Sequence, residues 1–159
     1  MDFTIALKKR EFERAEALHA KLRLLDISLY KSEALGAGPP LRAVEPVRLD
    51  AELDSEVDHE DSAGVDFSIT LRVACYDQLT FHIEATFLAR YQFVDQAKPA
   101  SKIEIEAFRK GHAVLASWPY LREFVQTMTA RMGFPTEPLP LLRLVPSERS
   151  EHGAQAPVP

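Results

Sequence analysis

Residues 47–92 read VRLDAELDSEVDHEDSAGVDFSITLRVACYDQLTFHIEATFLARYQ, and their apolar residues recur every second position. Val47, Leu49, Ala51, Leu53 and Val57 alternate with Arg48, Asp50, Glu52, Asp54, Glu56 and Asp58. That period of two is expected of a strand with one buried and one wet face. After a turn at His59 to Gly64, the odd positions Val65, Phe67, Ile69, Leu71, Val73 and Cys75 face Asp66, Ser68, Thr70 and Arg72 across the pleat. A short turn at Asp77-Gln78 leads to Leu79, Phe81, Ile83, Ala85, Phe87 and Tyr91, opposite Thr80, His82, Glu84, Thr86, Arg90 and Gln92.

Upstream, Leu25, Ile27 and Leu29 alternate with Asp26, Ser28 and Tyr30, which adds a first strand. Four strands, the last three joined by short turns, predict an antiparallel sheet with one apolar face. Between the first two strands, residues 35–46 hold Gly36, Gly38, Pro39, Pro40 and Pro46, and proline cannot donate to a ladder, so a loop is expected. Before the sheet, residues 4–22 carry Phe12, Ala15, Leu18 and Leu22 near helical spacing, so an amphipathic helix is assigned to residues 1–22.

Downstream the period changes. Ser101 with Glu104 three residues on forms a capping box, and Ile105, Phe108, His112 and Leu115 follow at helical spacing, with Gly111 weakening the middle. Trp118-Pro119 is read as the start of a second helix, because proline suits the first turn, and Gly133 with Pro135 ends it. Residues 135–145 form a leucine- and proline-rich extended strip, and 146–159 read as a disordered tail. The fold class is therefore α+β, a four-stranded antiparallel sheet with helices on one face and an added N-terminal helix.

Composition narrows the function. With 159 residues and 46% apolar content the chain is one globular domain. Its 24 acidic against 19 basic residues give a net charge of −5, so a nucleic-acid binder is not expected. The single Cys75 excludes an internal disulfide and the common zinc sites, and no run is long enough to insert in a membrane, so a cytoplasmic location is expected. No nucleotide loop, GxSxG or HExxH is present, and neither a metal nor a cofactor is expected. Cys75 and His82 have opposite strand parity and cannot form a nucleophile and base. The carboxylates from Asp50 to Glu60 read as one solvated face rather than a calcium site.

The size of the sheet bears on assembly. Four strands about 4.8 Å apart and about 36 Å long make a face that a helix over 119–132, roughly 21 Å long, cannot cover. A homo-oligomer with helices between sheets is the expected solution.

Trp118, Pro119, Tyr120, Arg122, Glu123, Gly133 and Pro135, following four strands, match in order an aromatic-Pro-Tyr-x-Arg-Glu helix closed by Gly and Pro. In this the chain, over about residues 23–145, resembles the SecB family of export chaperones and its SecB-like relatives, and the Asp26-Ile27-Ser28 step agrees. The resemblance implies a chaperone without enzyme chemistry, an ATP-independent holdase for unfolded polypeptides, and a homotetramer built as a dimer of dimers. It implies client binding at Leu35, Leu41 and Val44 of the crossover loop with Phe134, Leu139, Leu141 and Leu142 of the strip. It assigns assembly contacts to Ile83, Ala85 and Phe87 and to the helix stripe Tyr120, Phe124 and Met128.

Exporting members dock the motor SecA partly through an acidic outer sheet face, which Asp26 and Glu84 match and which Asp50, Glu52 and Asp54 would extend. Tyr30 and His82 depart from those members, and a Pro/Ser/Glu tail replaces their C-terminal helix. Two client classes stay open, secretory preproteins and an antitoxin of a toxin–antitoxin system, and the added N-terminal helix leans toward the second. From another class, a hot-dog thioesterase also sets a helix over a curved sheet, but Glu123 near the helix start is the only carboxylate there and a buried general base is missing.

Overall fold

A computed structural model of the chain describes residues 3–36, 49–75, 81–94, 100–134 and 138–147. Its elements are β1 (Phe3–Lys8), α1 (Lys9–His19), β2 (Leu22–Gly36), β3 (Leu49–Glu60), β4 (Gly64–Cys75), β5 (Phe81–Phe93), α2 (Lys102–Phe108), a π-helical turn (Arg109–Ala113), α3 (Val114–Arg131) and β6 (Leu142–Ser147). Four strands form an antiparallel sheet in the order β2-β5-β4-β3, and β1 pairs with β6 in a separate two-stranded sheet. The architecture is α+β, as the alternation predicts.

The strands keep the parity of their sequence. In β4 every odd residue is buried and every even one half-buried, with Val65, Phe67, Ile69, Leu71 and Val73 essentially inaccessible. Trp118, Leu121 and Val125 of α3 and Phe108 of α2 cover that face and complete one core. β2 is less regular. Its register slips between Leu24 and Asp26 and again between Leu29 and Lys31, so Leu24, Ile27 and Leu29 share the helix side while Leu25 and Tyr30 fall in the irregular steps and are exposed. Two bulges thus break the alternation expected through Leu25, and the strand continues through Leu35 and Gly36, where a loop is expected.

Two helical expectations change. Ser101 caps α2, its hydroxyl accepting from the Glu104 N–H at 3.3 Å while the Glu104 carboxylate accepts from the Ser101 N–H at 2.8 Å. From there helical backbone continues through the π-helical turn into α3, and Pro119 lies inside α3 rather than at its start. A proline there removes one helical hydrogen bond, and the burial of Ser117, Trp118 and Leu121 on either side holds the turn together. Gly111 is required by close approach: a Cβ would lie 3.0 Å from Leu7 Cδ1 and 3.2 Å from Leu144 Cδ2. Gly133 ends the helix at φ 78°, with the Phe134 N–H reaching the Thr129 carbonyl at 3.0 Å.

The N-terminal helix is confined to Lys9–His19, and Phe3–Lys8 is a strand. Its apolar Phe3, Ile5 and Leu7 alternate with exposed Thr4, Ala6 and Lys8, and it runs parallel to β6, with Phe3 opposite Leu142 and Lys8 opposite Ser147. Pro146 and Ser147, expected in a tail, belong to β6. No helix among the described residues is long and apolar enough to cross a membrane.

Candidate functional site

Half of the large apolar side chains exposed among the described residues sit on β2: Leu24, Leu25, Leu29, Tyr30 and Leu35. Sheet order explains the concentration. β2 is an edge strand, and α3 packs chiefly on β5 and β4, so Leu24 (42% exposed) and Leu29 (47%) point to the helix side beyond the cover of α3. On α3, Tyr120 is 46% exposed, and its ring lies 6.0 Å from that of Phe87, beside Phe124 at 6.3 Å. An apolar margin therefore runs from the free edge of the sheet to one flank of α3.

The residues assigned to client contact separate by burial. Leu35 (57%) and Leu141 (72%) are exposed, whereas Phe134, Leu139 and Leu142 are core residues of this chain. The cause is local packing. Phe134 packs on Phe81 with tilted rings 4.8 Å apart, and the segment around Leu139 is drawn onto α3, where Trp118 Nε1–H donates to the Pro140 carbonyl at 3.0 Å and Arg122 donates to the Leu139 carbonyl. Trp118 and the end of α3 at Arg131 are roughly 20 Å apart along the helix, so Phe134 and Leu139 mark two places, and Leu35, opposite His82 in register, lies on the outer face of the sheet. Leu41 and Val44 lie outside the described residues.

Of the residues assigned to assembly, Ile83 and Ala85 are fully buried and Phe87 nearly so, in the core on the helix side of the sheet. The parity of β5 is the reason: odd residues point toward the helices of the same chain. Tyr120 is exposed and Phe124 and Met128 are half-buried on the outer flank of α3.

Across the outer sheet face, register builds a charged rung. Glu52 stands opposite Arg72, Arg72 opposite Glu84, and Glu84 opposite Glu33. Arg72 Nε donates to Glu84 at 3.0 Å and Lys31 Nζ lies 3.6 Å away, so Glu84 is largely neutralised by its neighbours. Asp26 lies opposite Arg90 at the other end of β2. Asp50, Glu52 and Asp54 are exposed on edge strand β3, and this row is the acidic part of the face.

Sequence reasoning missed one cluster. The π-helical turn brings His112 of the helical layer against α1: its ring stacks on His19 at 4.5 Å and on Phe108 at 5.4 Å, and Nε2 lies 2.8 Å from Glu16 Oε1. Burial, followed by the neighbouring His19, holds the His112 imidazole below its ordinary range, against the opposing pull of Glu16. From the same turn Arg109 donates to the Ser55 carbonyl and, at 2.7 Å, to its hydroxyl, tying edge strand β3 to the helical layer. Nothing in local periodicity pairs His19 with His112, since both lie on helices far apart in the chain.

The two pairings weighed for catalysis are not brought together among the described residues. Cys75 is buried on the helix side while His82 is on the outer side. Glu123 is exposed and accepts a hydrogen bond from the Thr127 hydroxyl at 3.1 Å, so α3 carries no buried general base among the described residues. Burial among Phe67 and Phe108 pushes the Tyr91 phenol up to about 12, a core effect. Among the described residues no group of three or more His, Cys, Asp or Glu side chains is placed to hold a metal ion.

No protein-family model matches the sequence, and no curated protein matches it. Among solved structures, the SecB-like chaperone Rv1957 of Mycobacterium tuberculosis, in complex with a ChAD peptide from the HigA1 antitoxin, superposes with a TM-score of 0.74 at 21% identity, over 84% of this chain and 96% of that one. A Streptococcus agalactiae protein of unknown function is more distant, at a TM-score of 0.41 and 10% identity over 75% of this chain and 96% of that one. The chain has the SecB-like fold.

Proposed function

We propose that this protein is an ATP-independent holdase of the SecB-like type, which binds unfolded or aggregation-prone polypeptides and performs no enzyme chemistry. The observation that carries the reading is the SecB-like fold, matched over most of the chain by a chaperone in complex with a peptide of an antitoxin. The exposed leucines of β2 and Leu141 support it, because a surface that accepts many unfolded chains needs apolar side chains free to adapt. An antitoxin is the favoured client and secretory preproteins are the alternative. Leu35, Leu41, Val44 and Leu141 contact the client in this reading, and Phe134, Leu139 and Leu142 contribute from the packed core.

The protein works in the cytoplasm as a homotetramer, a dimer of dimers, in this proposal. Its support is the uncovered margin of Leu24, Leu29 and Tyr120 beside the free edge of β2, a combination that soluble chains seldom leave open. The Asp50, Glu52 and Asp54 row would dock a basic partner such as the motor SecA, with Asp26 and the ion-paired Glu84 at its margin. Fluorescence anisotropy of labelled, permanently unfolded carboxymethylated lactalbumin tests client recognition. Saturable binding without nucleotide, weakened severalfold by Leu35→Asp with Leu141→Asp, is expected. Equal affinity for the native, disulfide-intact protein would argue against a preference for unfolded chains.

A further inference from the structure

The strip that should meet clients is already occupied by a strand of the same chain. Among the described residues β1 pairs with β6 alone, in parallel, and the pair forms its own two-stranded sheet. Phe3, Ile5 and Leu7 drop inward: Phe3 places its ring 5.0 Å from that of Trp118, and Leu7 packs where Gly111 has no side chain, beside Leu144. Thr4, Ala6 and Lys8 face outward and are exposed. The groove formed by β6, Trp118 and Gly111 therefore takes backbone from one edge and alternate side chains from one face, which is how proteins capture an extended peptide by strand addition.

The occupant is anchored at Leu7, loosely held toward Phe3, and tethered. Phe3 and Ile5 are only half-buried, six residues of backbone are ordered by a single partner strand, and two-stranded sheets are marginal on their own. α1 begins at Lys9, immediately after the strand, so β1 stays at high local concentration when it leaves.

We propose that β1 is a built-in competitor, and that an extended client segment with apolar residues at alternate positions takes its place beside β6. The proposal rests on the chaperone reading above and names the surface that opens and the device that closes it.

Trp118 is the only tryptophan in the chain and reports the exchange directly. Three forms of the full chain are compared: the native sequence, Ile5→Asp, which expels β1, and Ala6→Cys with Val145→Cys, exposed residues directly opposite in register, which lock it when oxidised. The probes are an acetylated peptide FTIALK and labelled carboxymethylated lactalbumin. Ile5→Asp should red-shift the Trp118 emission, the peptide should reverse the shift, and affinity for both probes should rise at least about tenfold as the competent fraction grows. The oxidised lock should bind more weakly than the same protein after reduction. Circular dichroism checks that Ile5→Asp folds, and the locked pair decides alone if it does not. Equal binding by locked and reduced forms overturns the exchange while leaving the holdase reading in place. No binding of lactalbumin by any form overturns both.

Discussion

Phe108 shows how a single side chain ties the layers together. It is fully buried, with Phe67 at 5.6 Å and Tyr91 at 5.1 Å from the sheet and His112 and His19 stacked on its other side. Phe108→Ala should cost about 3–5 kcal/mol in urea unfolding, the range for truncating a core aromatic. The helical spacing of Ile105 and Phe108 was readable in the sequence. The His19–His112 stack was not, because it depends on how α1 lies against the π-helical turn. That stack has a pH consequence. Because the folded state holds His112 below its ordinary 6.5, the unfolded chain takes up the proton first. Stability is then complete above pH 6.5 and is lost as pH falls from there through the depressed folded value. Glu16 of α1, 2.8 Å from His112 Nε2, offsets part of the loss. Thermal unfolding at pH 7.5 and 5.5 should show a larger acid-induced drop in Tm for the native sequence than for His112→Gln.

The elements differ in how openly the sequence announces them. β3, β4 and β5 are legible because a strand's period of two is a local property that one buried face enforces. β1 is not, since the six residues FTIALK become a strand only by pairing with β6, more than 130 residues away in the sequence. Bulges hide the true face of β2, and burial beside Pro119 hides the continuity of α3. Pro119 offers a direct check on that last point. At a helix start its replacement would be neutral or slightly destabilising, whereas inside α3 Pro119→Ala restores a backbone donor and should raise Tm by a few degrees. Gly133→Ala should act in the opposite sense, costing about 1 kcal/mol, because φ of 78° strains any residue with a Cβ. Both are read from the same thermal scans.

At the scale of the whole molecule, the candidate site was legible in kind more than in place. A leucine-rich strip and an acidic strand were visible as composition, but which leucines remain free is set by tertiary packing: Trp118 and Arg122 pull the segment around Leu139 into the core and leave Leu141 outside. The uncovered edge of β2 leads to a prediction about assembly. Multi-angle light scattering at micromolar concentration should give four times the chain mass, and Leu29→Asp with Tyr120→Asp should shift it to smaller species; a native protein at monomer mass would rule out the tetramer. The most direct measurement of all is aggregation suppression. A chemically denatured client is diluted into buffer without nucleotide, with and without a molar excess of the full chain, and light scattering is followed. Scattering should be strongly reduced, in proportion to the protein added and unchanged by ATP. Undiminished scattering for every client at several-fold excess would contradict the holdase reading.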